Sequence, residues 1–64
     1  MQILGRLRQV REAAFMSQYD LAKVSGVARP TITRLELKQQ GARMGTIRKL
    51  AAALGVKPAD LLED

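Results

Sequence analysis

The sequence predicts an all-α fold of five short helices, and three observations predict it. Apolar residues recur at spacings of three and four along nearly the whole chain, and no stretch alternates apolar with polar as a half-buried strand would. Punctuation recurs with them: Gly26, Gly41 and Gly55 stand where chains leave helices, and Pro30 and Pro58 stand where helices begin. The chain has 64 residues, enough for one small domain with a single modest core. A domain of that size buries only about 60% of the surface its unfolded chain exposes.

Helix 1 is predicted over residues 3 to 15, where Ile3, Leu4, Leu7, Val10, Ala14 and Phe15 share a face and Arg6, Arg8, Gln9 and Glu12 fill the other side. Helix 2 runs from Gln18 to Ser25. Ser17 and Asp20 form a capping-box pattern at its start, in which hydroxyl and carboxylate satisfy backbone N–H groups that lack helical partners, and Gly26 takes positive φ at its end. Helix 3 opens at Arg29 or Pro30, because proline lacks only an N–H that a first turn leaves unpaired. Its far end lies near Leu37 or continues through "KQQ", since no stop signal precedes Gly41. Helix 4 starts between Arg43 and Thr46, carries Ile47, Leu50, Ala51 and Leu54 inward, and stops at Gly55. Helix 5, "PADLLED", has Pro58 at its first position and Asp60 in its first turn, where the helix dipole favours a carboxylate. The domain spans residues 3–62, with 63–64 an acidic end.

Composition excludes most chemistry. With no Cys and no His there are no disulfides, no thiolate or imidazole metal ligands, no Cys nucleophile and no histidine base. Neither an enzyme, a metal site nor a cofactor is expected. The longest apolar-plus-Gly run, Leu50 to Val56, is far short of the roughly 20 residues of a membrane span, so a cytoplasmic chain with no membrane partner is expected. Eleven Lys and Arg oppose six Asp and Glu, and three of those acids lie in the last five residues. The remainder is strongly cationic and attracts polyanions such as nucleic acid.

Residues 18 to 36 make the sharpest local unit. Ala22 is small where helix 3 crosses helix 2, Gly26 lets the chain reverse, and Val27, Ile32 and Leu35 anchor the turn and second helix to the core. This stretch, "SQYDLAKVSGVARPTITRLE", resembles the helix-turn-helix of the Cro/C1-type family of DNA-binding domains, and the likeness continues through "TIRKLAAALGVKPADLL". Gln18, Leu21, Ala22, Gly26, Val27, Arg29, Thr31, Ile32, Arg34 and Glu36 all match common choices of that family at its spacing. The resemblance covers roughly residues 3 to 62. It implies a five-helix, lambda-repressor-like domain whose motif spans 18–37 and whose helix 3, about 29–37, enters the major groove of double-stranded DNA.

Helical geometry can be set beside that likeness. With Ile32, Leu35 and Glu36 inward, the outward positions of helix 3 are Pro30, Thr33, Arg34 and Leu37, flanked by Arg29, Thr31 and Lys38. An arginine can donate two hydrogen bonds to guanine, and a threonine methyl or hydroxyl can meet another base edge. Alone, each arginine would merely solvate a surface helix; its place on the second helix of the motif makes Arg29, Thr33 and Arg34 the expected base contacts. The resemblance assigns Gln18, Thr31, Lys38 and Arg43 to the DNA backbone and to positioning. It also implies a buried ion pair between Arg11 and Glu36, two charges that periodicity sets among apolar neighbours.

Three departures from the family's pattern stand out. Ala28 replaces the usual Ser or Thr cap of helix 3, Pro30 occupies a position that often carries a polar base reader, and "LKQQGARMG" lacks the early Gly that ends helix 3. The function expected is a sequence-specific transcriptional regulator, a repressor or an antitoxin-type autoregulator or controller, located with the nucleoid. Such a domain is expected to bind as a homodimer, with Leu61 and Leu62 either forming the dimer surface or closing the core. An antitoxin role would add a cognate toxin as partner. The alternative is a protein-interaction module on the same fold, presenting Pro30, Thr33 and Leu37 to another protein.

Overall fold

A computed structural model describes residues 1–62, so the acidic end 63–64 and the last residues of "PADLLED" lie outside the described part. Four α-helices follow one another: α1 (Leu7–Ala13), α2 (Gln18–Ser25), α3 (Arg29–Glu36) and α4 (Met44–Leu54). The fifth element, Pro58–Leu61, is a single 3-10 turn rather than the α-helix its sequence suggested. Pro58 opens it and the Asp60 carboxylate accepts the Lys57 N–H at 3.0 Å, so the start signals act as expected. Four residues leave no length for a second turn.

The core forms where these elements converge. Leu4, Leu7, Leu21, Ile32, Leu35, Ile47, Leu50 and Leu61 are fully buried, with Val27, Ala51 and Leu54 around them. α2 packs on α3 and α4, while α1 touches α3 and the closing turn. Leu61 is therefore a core residue with no surface to offer a second subunit, and Leu62 packs partly against the same cluster. No helix among the described residues is long and apolar enough to cross a membrane.

The first helix is shorter than its apolar periodicity indicated, at both ends. Residues before Leu7 are drawn elsewhere: the Gln2 N–H donates to the Ala42 carbonyl at 3.0 Å, the Ala42 N–H returns to Gln2 at 2.8 Å, and the Arg6 N–H reaches the Leu61 carbonyl at 3.2 Å. Leu4 still enters the core from this extended segment, whereas Ile3 stays partly exposed, so the three-and-four spacing there reflects core anchoring without a helix. At the other end Phe15 takes a left-handed conformation, with φ 57°. The Phe15 N–H then reaches the Glu12 carbonyl at 3.0 Å and the Met16 N–H reaches Arg11 at 3.3 Å, the paired bonds of a Schellman cap.

The same device ends α3, without the glycine that usually permits it. Lys38 adopts φ 58°, its N–H bonds the Leu35 carbonyl at 3.2 Å, and the Gln39 N–H bonds that of Arg34 at 2.9 Å. α2 and α4 end on the expected glycines, Gly26 at φ 75° and Gly55 at φ 70°. The start of α2 carries its capping box: Ser17 Oγ accepts the Asp20 N–H at 2.9 Å, and the Asp20 carboxylate accepts the Ser17 N–H at 3.1 Å. α3 has no side-chain cap at Ala28, and Pro30 in its first turn removes one of the donors such a cap would serve.

Two outcomes follow from these helix ends. A left-handed conformation disfavours any residue with a Cβ by about 1–2 kcal/mol. After allowance for the freer unfolded chain that glycine brings, Phe15→Gly and Lys38→Gly should each stabilise the domain by roughly 0.5–1 kcal/mol, read as a higher urea midpoint, whereas alanine at either site should not. The Asp20 carboxyl is held below its usual 3.8, first by the Ser17 N–H and then by the Ser17 hydroxyl. A depressed folded value gives stability that is present above the unfolded value and lost as pH falls through the folded one. The gap in midpoint between the parent chain and Asp20→Asn should therefore hold at neutral pH and close below 3.8.

Candidate nucleic-acid interface

The outer face of α3 is built on a polar chain that begins at the margin of the core. Arg11 projects from α1 and grips Glu36, the last residue of α3: Nε donates to Oε2 at 2.6 Å and Nη2 to Oε1 at 3.0 Å, while Nη1 donates to the Met16 carbonyl at 2.8 Å. The two side chains are only 11% and 4% exposed. The hydrogen bonding that Arg11 donates to Glu36 raises the Arg11 pKa above its ordinary range against the opposing effect of burial, so the guanidinium stays charged at any working pH. By contrast the α1 surface pair Arg8–Glu12, at 3.5 Å between largely exposed side chains, contributes little.

From Glu36 the chain of bonds turns outward. Gln18 Nε2, at the first position of α2, donates to Glu36 Oε1 at 3.0 Å, and Gln18 Oε1 accepts from the Thr33 hydroxyl at 2.8 Å. Four side chains thus join α1, α2 and α3, and no buried side-chain polar atom among the described residues lacks a partner. The Gln18 amide orientation is fixed at both ends, with its second Nε2 hydrogen left for an external acceptor. Thr33 is half-buried and its single hydroxyl hydrogen has acceptors within the protein, Gln18 Oε1 and the Arg29 carbonyl at 3.1 Å. What Thr33 can show a base edge is therefore its methyl group or an oxygen lone pair.

Arg29, Pro30, Arg34, Leu37 and Lys38 are exposed along the same helix and its exit. Arg29 and Arg34 carry donors there, Pro30 and Leu37 only apolar surface. Thr31 and Arg43, far apart in sequence, meet at a surface notch of about 210 Å³ between the starts of α3 and α4. Gln40 and Thr46 line it as well, as does Met1. Lys38 is not among the notch residues; it sits where α3 ends. Arg43 occupies the N-cap of α4 in an extended conformation and makes no side-chain cap bond, and no acidic residue stands in that first turn. Gln40 and Thr46 escaped the sequence reading because the loop trajectory and the start of α4 were open there. A larger groove of about 420 Å³, lined mainly by Val10, Ala13, Ala14, Leu54 and Val56, shares no residue with α3.

The described residues contain no group of His, Cys, Asp and Glu placed to hold a metal ion. The arrangement suits binding: a rigid helix face with two arginines, and beside it a notch with a guanidinium, an amide, two hydroxyls and the unopposed positive end of a helix dipole.

Comparison with known proteins bears on this geometry. The helix-turn-helix family matches the chain over residues 7–61. Among solved structures, the chain is similar to the restriction-modification controller protein C.AhdI from Aeromonas hydrophila, with 37% identity and a TM-score of 0.86, covering 94% of this chain and 91% of that one. No curated protein sequence matches it.

The polar chain has a measurable consequence. Glu36→Ala strands a buried guanidinium and removes the acceptor of Gln18, and should destabilise the domain by about 3–5 kcal/mol in chemical denaturation. Thr33→Val, which keeps the shape and deletes one donor, should lower stability by only about 1 kcal/mol, with Thr33→Ser close to the parent.

Proposed function

The chain belongs to the helix-turn-helix family of DNA-binding domains, and from that premise we propose that it is a sequence-specific transcriptional regulator that docks α3 in the major groove of double-stranded DNA. The observation that carries this reading is the braced outer face of α3, where Arg29 and Arg34 stand exposed on a helix locked to the core by Arg11, Glu36, Gln18 and Thr33. Arg29 and Arg34 read base edges, each able to donate twice to a guanine. Thr33 adds a methyl contact and doubles as the brace. Gln18, through its second amide hydrogen, and Thr31, Lys38 and Arg43 meet phosphates and set the register.

Dimension supports a paired arrangement. The domain measures 23 × 21 × 19 Å, short of the roughly 34 Å helical turn of DNA, so one copy spans a half-site. Two copies on a palindrome supply the base contacts that one short helix cannot. We infer a homodimer, and since Leu61 is spent in the core its surface lies elsewhere. The likeness to C.AhdI, described as a restriction-modification controller protein, supports a controller role over that of a general repressor or a toxin-neutralising antitoxin. The chain would then work in the cytoplasm, at the nucleoid, as a binding module rather than an enzyme.

Selection of bound duplexes from a random pool should return a palindrome. Affinity for it should fall with rising salt at a log–log slope of about −0.9 for each phosphate contacted. Arg34→Ala should lose about 1–3 kcal/mol of discrimination at one base pair per half-site while leaving the salt slope nearly unchanged. A pool returned without sequence preference, or an affinity insensitive to salt, would instead favour a protein-docking role for Pro30, Thr33 and Leu37.

A further inference from the structure

The segment before α1 makes a connection that core packing does not require. Leu4 is its only buried side chain; Met1 and Ile3 are exposed, and Gln2 is held by its backbone alone, in the two-way bridge to Ala42 at 3.0 and 2.8 Å. The bridge falls at the α4 end of the stretch between α3 and α4, on the residue just before the cap of α4. On one side of it, Lys38 and Gln39 bond back onto α3; on the other, Arg43 is already the cap of α4. Gly41, beside the bridged Ala42, also lies close against the segment. A Cβ built there would lie 3.1 Å from Gln2 N, Gln2 O and Met1 Cβ, so the two strands of backbone meet at a distance that a side chain would disturb. Met1 then forms part of the wall of the notch that Thr31, Gln40, Arg43 and Thr46 also line.

We propose that residues 1–3 act as a clasp that holds the α3–α4 loop, and with it Arg43 and the notch, in the geometry that receives a DNA phosphate. This rests on the DNA-binding reading given above. A loop left to itself must lose its conformational freedom when it binds, and that loss subtracts from affinity; a loop already fixed by two backbone bonds has little left to lose. The bridge also fixes the direction from which Arg43 enters α4. The guanidinium and the opening amides of the helix are thereby aimed at one place. Gln2 and Gly41 are positioning residues on this account, and neither touches the nucleic acid.

The test compares Gln2→Pro, which deletes the N–H of the bridge, Gly41→Ala, which crowds it, and Gln2→Ala, which leaves the backbone bonds untouched. Each is titrated against the selected duplex over a range of salt, at a temperature where denaturation curves show all four chains folded. The clasp predicts that Gln2→Pro and Gly41→Ala bind roughly tenfold more weakly at about 0.1 M salt and lose about 0.9 from the log–log slope, one phosphate contact, while Gln2→Ala matches the parent. A purely structural tie lowers the denaturation midpoint and leaves the slope of the folded protein alone; that result overturns the clasp, as does an unchanged affinity. A parent chain with no salt-dependent affinity for any duplex overturns the DNA-binding reading itself and the clasp with it, whereas a parent that binds beside a Gln2→Pro variant of equal slope overturns the clasp alone.

Discussion

The bond between Arg11 and Glu36 is the constraint on which the rest of this small domain depends. A chain of 64 residues has a total stability of roughly 3–10 kcal/mol, so one interaction whose loss removes about 3–5 kcal/mol governs whether the fold survives. Its value to the structure is geometric as much as energetic. Glu36 is the last residue of α3 and Arg11 lies in the last turn of α1, so the two-pronged contact sets the position of one helix against the other. The third arginine bond, to the Met16 carbonyl, extends that control to the entry of α2.

From that anchor the order spreads outward through polar groups rather than through more apolar burial. Gln18 and Thr33 transmit the position of Glu36 to the middle of α3, whose own apolar contribution to the core is Ile32 and Leu35. An eight-residue helix is far too short to persist alone, and this one lacks a side-chain cap. It is held by two leucine-sized anchors beneath, by the brace at its side, and by a Schellman turn at Lys38 that stops it despite the left-handed strain. The same economy appears at Phe15. In both places a non-glycine residue accepts an unfavourable conformation because the following chain must turn at that point to reach the next packed element.

Much of this was legible residue by residue. The punctuation at Ser17, Gly26, Pro30 and Gly55 placed α2, the start of α3 and the end of α4, because capping and positive φ are local matters decided by a few neighbouring atoms. The periodic leucines and isoleucines identified the core for the same reason: a helix with one apolar stripe has one way to face inward. The misreadings have a common origin. Ile3 and Leu4 fit a helical stripe yet sit in an extended segment, because their neighbour Gln2 pairs with Ala42, forty residues away in sequence. "PADLLED" carried the start signals of a helix, but the packing of Leu61 into the core closes the chain down after one 3-10 turn.

The sequence by itself determined the all-α class, the positions of the helix-turn-helix and the cationic character of the chain, since each follows from spacing, capping chemistry or charge within a short window. Only the tertiary structure decided which groups share a neighbourhood. It tied the Thr33 hydroxyl to Gln18, brought Thr31 to Arg43 across the notch, committed Leu61 to the interior and set the segment around Gln2 against the loop that contains Gly41. Those outcomes depend on where elements distant in sequence come to rest, and a hydrogen bond of 3 Å or a 0% exposed leucine exists only once the whole chain has packed.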